Sequence, residues 1–179
     1  MLAKFFHEVF DNTAREAQVG KIVSIVEMLI DNPDFKEDCY WKMSRFKKGE
    51  KILEQGDDCN DLYLLKTGSA RVLGSIETAD NHRIQPGVCD IKSGDVFGEL
   101  SLFDEKPRSA SVECLEDCTA VVINGEKLLE YLEANPDIGF KFMQELMMLT
   151  VERLRGSNEK VFSLYAWGLK AHKIDEHLS

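Results

Sequence analysis

Within residues 94–112, GDVFGELSLFDEKPRSASV, a glycine, a carboxylate and an arginine stand where they could hold an anion carried on a sugar. The segment reads as a strand ending in Val96-Phe97, then Gly98, a single helical turn over Glu99 to Phe103, a polar turn, and Pro107-Arg108. Gly98 lets the backbone take angles closed to other residues or approach a ligand closely. The first amides of a helical turn after it are unpaired and favour an anion. Arg108 adds a planar, permanently charged fork matched to two phosphate oxygens. Glu99, when ionised, only accepts hydrogen bonds and so suits a ribose hydroxyl. The combination fits a singly charged sugar phosphate. The alternative for the same two residues is an ion pair on a surface turn.

Strands and helices must hold these groups in place. Over residues 37–125 short apolar runs alternate with turn clusters such as Lys48-Gly49, Gly56-Asp57-Asp58, Thr67-Gly68-Ser69, Pro86-Gly87 and Ser93-Gly94-Asp95. The runs at 61–65, 70–73, 88–91, 111–114 and 119–123 are rich in β-branched and aromatic residues. Short strands at this spacing predict a mainly β fold, a β-roll or jelly-roll with flanking helices. Alternation within DLYLL and ARVL is only partial, so their faces stay unassigned. Residues 1–36 read as helical, with Asn32-Pro33 as the stop. Residues 126–179 read as a short helix, EKLLEYLEAN, and then a long one. Asn135 is placed to cap the long helix and Pro136 to open it. Along it Met147, Leu154 and Val161 recur every seven residues with Thr150, Ser157 and Leu164 between them, a weak seam that could pair with a second copy.

Composition narrows the function. The chain has 179 residues and a formal charge of −10. A nucleic-acid binder usually carries a basic face, so no nucleic-acid partner is expected. No run nears the roughly 20 apolar residues of a membrane span, and MLAKFFHEVFDN is not a leader by pattern; neither a membrane partner nor export is expected, and a cytoplasmic location follows. The five cysteines form no C-x-x-C pair and the four histidines are scattered, which argues against a metal centre and for reduced thiols. No nucleophile–base pair, P-loop or kinase catalytic loop is present; an enzyme is not expected.

Gly98-Glu99-Leu100, with Arg108-Ser109-Ala110 beginning nine residues beyond Glu99, resembles the phosphate-binding cassette of cyclic nucleotide-binding domains. This family includes the regulatory subunits of cAMP-dependent protein kinase and the bacterial catabolite activator protein. The stretch FKKGEKILEQGDDCNDLYLLKTGSARVL resembles the family's opening strands, and the likeness runs from about Met43 to Val161. The resemblance implies that Glu99 accepts from the ribose 2′-hydroxyl. It implies that Arg108 pairs with the exocyclic phosphate oxygens, assisted by amides around Gly98 and Ser109. Leu100 and Val72, with Phe97 and Ala110 nearby, would supply the apolar wall. ERLRGSNEKV, residues 152–161, resembles the central helix of the bacterial activators. That match would set Ser157 and Asn158 against the base and Arg153, one turn earlier, near the phosphate. Ser109 follows the arginine as in the bacterial activators, which favours cAMP as ligand with cGMP as the alternative; no cofactor is expected. The activators continue into a winged helix-turn-helix, and KAHKIDEHLS is too short for one. The resemblance therefore implies a stand-alone sensor. Its flanking helices would relay ligand occupancy to a second copy or to an unidentified protein effector. The alternative is a structural or protein-interaction domain that keeps the fold and binds no nucleotide.

Overall fold

The computed structural model describes residues 25–74, 76–77, 83–84, 87–104 and 106–171. The helices expected before residue 25 and the tail after 171 lie outside the described residues. Residues 25–30 form helix α1, which ends just before Asn32. The Asn32 amide donates to the Tyr131 hydroxyl at 3.0 Å and its carbonyl accepts from the Asp34 amide.

Ten strands follow among the described residues: β1 (Trp41–Phe46), β2 (Lys51–Leu53), β3 (Leu62–Thr67), β4 (Ser69–Leu73), β5 (Ile76–Glu77), β6 (Arg83–Ile84), β7 (Gly87–Lys92), β8 (Val96–Phe97), β9 (Ser111–Cys114) and β10 (Cys118–Ile123). One antiparallel sheet has the order β1-β10-β3-β8, the other β2-β9-β4-β7, and β5-β6 form a separate ribbon. The two four-stranded sheets make the jelly-roll. Between β8 and β9 sits the one-turn helix α2 (Ser101–Asp104), and after β10 come α3 (Gly125–Ala134) and the 36-residue α4 (Pro136–Ala171). Asn124 caps α3 by accepting from the Lys127 amide.

The partial alternation of DLYLL has a physical cause. Leu62 and Leu64 of β3, with Val121 and Ile123 of β10, face a core shared with Val26, Leu29, Leu128, Phe142, Leu146 and Leu149 of the helices. Tyr63 and Leu65, with Ala120 and Val122, face the core between the sheets beside Ile52, Phe97, Val112 and Cys114. A strand covered on both faces reads as a continuous apolar run. The helices are thus the third layer of the roll, and α4 is seated through its first half.

Candidate functional site

Arg108 lies on the loop between α2 and β9, and that loop is tied at both ends of the residue. Its amide donates to the Asp57 carbonyl, and its carbonyl accepts from the Gly56 amide, each at 2.9 Å. The side chain turns inward and is only 3% exposed. One terminal nitrogen donates to the Gly98 carbonyl at 2.7 Å, and the other to the Asp61 carbonyl at 2.7 Å. The second nitrogen also lies 3.6 Å from Cys59 Sγ. The guanidinium stands 5.7 Å from the centre of the Tyr63 ring, which in turn stacks on Phe97. Burial, with Cys59 and Asp61 adding to it, pushes the Tyr63 hydroxyl above its ordinary range, so it remains a neutral donor. Arg108 Nε is buried with no hydrogen-bond partner. An unsatisfied buried N–H is costly, and here it belongs to a cation suited to an oxyanion.

Gly98 makes this packing feasible. Its φ is +82°, and a β-carbon there would stand 3.0 Å from the Asp61 carbonyl oxygen and 3.1 Å from the Arg108 terminal nitrogen. Any larger residue would be both strained and pressed against the guanidinium.

Glu99 is buried, and its partner comes from a distant part of the chain. Arg153 of α4 meets the carboxylate at 2.6 Å and donates its other terminal nitrogen to the Val96 carbonyl at 2.5 Å. The long helix is therefore fastened to the strand and the carboxylate that flank Gly98. Glu99 and Arg108 do not pair with each other on a surface turn; each is buried with partners of its own.

The structure brings Gly98, Glu99, Arg108 and Arg153 together. Phe97 is buried in the inter-sheet core, and Val72 is half-buried against it. Leu100 and Ser109 are exposed and Ala110 is half-buried. Ser157 and Asn158 are exposed on α4, and no hydrogen bond joins either to the described residues of the roll. Three residues not singled out in the sequence also belong to the cluster: Cys59, Asp61 and Tyr63. Asp61 acts through its main chain, which no side-chain pattern reveals. A cleft of about 210 Å³, lined by Asp38, Cys39, Trp41, Asn124 and Lys127 among others, shares only Asp61 with this cluster. Among the described residues no group of three or more histidines, cysteines or carboxylates could hold a metal ion, and no helix is long and apolar enough to cross a membrane.

These residues can bind an anion and an adjacent hydroxyl. A family model for the cyclic nucleotide-binding domain matches residues 43–135. The Anaerobic regulatory protein of Bacillus subtilis is 32% identical over 127 residues, covering 70% of this chain and 50% of that protein. The cAMP-activated global transcriptional regulator CRP of Salmonella typhimurium is 27% identical over 143 residues, 76% of this chain and 64% of the relative. The chain thus spans between half and two-thirds of these relatives' lengths. A cyclic nucleotide-binding domain from Methylobacillus flagellatus shares the fold with a TM-score of 0.65 at 24% identity, covering 81% of this chain and 83% of that one. The matched segment takes in more than half of the chain and contains both the buried arginine and the carboxylate before it, so this protein belongs to the cyclic nucleotide-binding domain family.

Proposed function

We propose that the chain is a non-catalytic cAMP sensor. Arg108 takes the cyclic phosphate, Glu99 takes the ribose 2′-hydroxyl, and α4 carries the signal. The observation that carries this reading is the buried Arg108 side chain with its Nε unpartnered, one step from a carboxylate that is itself held by α4. A ribose hydroxyl donated to Glu99 changes the environment of the Arg153 pair, so occupancy is felt on the long helix. A ligand shifts helix position only as far as it binds two arrangements differently, and the Glu99–Arg153 contact is where that difference arises.

The same reading includes a homodimer. Phe140, Met147, Leu154 and Val161 stand seven residues apart on α4 and are 66%, 61%, 60% and 59% exposed. A helix with such a stripe is completed by a second helix. An unidentified protein effector is the other reader of the signal.

Calorimetric titration with cAMP and cGMP tests the proposal, with Arg108→Leu as control. Saturable binding of cAMP is expected, tighter than that of cGMP. The variant should lose at least about tenfold in affinity, because a charge-assisted hydrogen bond contributes roughly 1.5–3 kcal/mol. A second reading, a protein-interaction domain that uses no nucleotide, is favoured by one observation: both terminal nitrogens of Arg108 and the Glu99 carboxylate already have partners inside the chain. Absence of heat with either nucleotide would select that reading.

A further inference from the structure

Four main-chain groups, the Tyr63 ring and Cys59 Sγ meet the Arg108 guanidinium or hold its backbone. The Gly98 and Asp61 carbonyls and the backbone bonds to residues 56 and 57 are chemically inert. Cys59 Sγ, at 3.6 Å, is the exception. Its residue is half-exposed, whereas Cys114 and Cys118 are buried in the inter-sheet core. Burial with Cys118 beside it pushes the Cys114 thiol up to about 12, so that thiol is inert. Partly exposed thiols beside a cation are the ones that oxidants reach. The guanidinium here also retains a buried N–H, on Nε, with nothing to donate to.

We propose that Cys59 is a peroxide-sensitive switch on the nucleotide site, whose oxidised sulfur supplies an oxyanion that competes with the phosphate for Arg108. The inference rests on the nucleotide reading above. In the first step the sulfur attacks one oxygen of a hydroperoxide. The S–O bond forms as the O–O bond breaks, two electrons pass from sulfur to the peroxide, and the departing oxygen takes the thiol proton, leaving water (from hydrogen peroxide) and a sulfenic acid. A second equivalent repeats the transfer and gives a sulfinic acid. The sulfinate is an oxygen acid held at the arginine by its own chain, so it competes without needing any free concentration. The first product is reversible by thiols and the second is not, which makes the response graded by dose.

The test uses the full chain and hydrogen peroxide. Reduced protein, and protein treated and then freed of peroxide, are titrated with cAMP by calorimetry, while mass spectrometry of the Cys59 peptide reports oxidation. We expect oxidation at Cys59, a loss of at least about tenfold in affinity, and protection of Cys59 when cAMP is present during treatment. The affinity of Cys59→Ser should not change on treatment, whatever its starting value. Three results would overturn the proposal: Cys59 staying reduced, oxidised wild type binding as reduced wild type does, or Cys59→Ser losing affinity as the wild type does. Failure of the reduced wild type to bind any nucleotide would instead remove the sensor reading, and this proposal with it.

Discussion

The two halves of α4 are similarly rich in apolar residues and stand in opposite surroundings. In the first half Phe142, Leu146 and Leu149 are buried against α1, α3 and the β1-β10-β3-β8 sheet. In the second half Val161, Phe162, Leu164, Tyr165 and Trp167 are all exposed. Between them stands Arg153, joined to Glu99 and to the Val96 carbonyl. Beyond it, Lys160 reaches the Val88 carbonyl at 3.3 Å. At about 1.5 Å per residue the helix is about 54 Å long, far longer than the roll needs for its own cover. The first half is held by burial, and the start of the second by the polar latch of Arg153 on Glu99 and the Val96 carbonyl. In the proposed sensor, a ligand at Glu99 would act where the buried run of the helix ends.

Truncation in each half gives the largest contrast. Phe142→Ala should lower unfolding stability by about 3–5 kcal/mol, as for other buried aromatics. Phe162→Ala, at an exposed site, should stay within about 0.5 kcal/mol; chemical denaturation measures both. Equal losses would mean that the second half is packed on something in solution, and the dimer proposed above is the first place to look.

Cutting the latch should have the next largest effect. Arg153→Ala leaves a buried carboxylate without its cation, and a stability loss of about 1–2 kcal/mol is expected once the partial exposure of Arg153 is allowed for. Arg153→Ala combined with Glu99→Gln should cost less than the two single changes summed, read as a double-mutant cycle. Additive losses would mean that the pair is not coupled.

Leu154→Lys tests the exposed stripe. It should leave the monomer's unfolding midpoint nearly unchanged and shift analytical ultracentrifugation towards the single chain. An unchanged distribution would remove the helix-mediated dimer.

The smallest effect lies far from the site. Asp117 accepts from Lys47 Nζ and from the Lys48 amide, and these contacts, the Lys47 side chain foremost, hold its carboxyl below the usual range. A depressed folded value adds stability above the unfolded value of about 3.9, and that contribution is lost as pH falls through the folded value. Asp117→Asn should therefore flatten the melting profile below about pH 4 while leaving nucleotide affinity and α4 untouched.

How much of this could be read from the chain follows from how local each feature is. The cassette is contiguous, so Gly98, Glu99 and Arg108 stand out from their residue types and from the segment's resemblance to the family's phosphate-binding cassette. Strands β4, β7, β9 and β10 carry β-branched runs and were expected within a residue or two of their observed ends. Strand β1 was not expected from its residues: WKMSRF exposes Lys42, Met43 and Arg45 and has no apolar run. Pairing with β10 along its whole length makes it a strand. The two-residue strands β5 and β6 carry too little pattern to register. Partners distant in sequence were the least legible. Glu99 meets an arginine 54 positions away, and the acceptors for Arg108 are carbonyls, which every residue possesses. The residues of ERLRGSNEKV give no sign that Arg153 meets the Glu99 carboxylate.

In the proposed sensor Arg108 gives its unfilled donor, the buried Nε–H, to a cyclic nucleotide phosphate. The most direct measurement is the nitrogen-15 NMR signal of the Arg108 Nε–H, assigned through Arg108→Lys, with and without saturating cAMP. A downfield proton shift and slower exchange with water are expected on addition of cAMP, and neither change with adenosine. An Arg108 resonance unmoved by a nucleotide that calorimetry shows to be bound would contradict it.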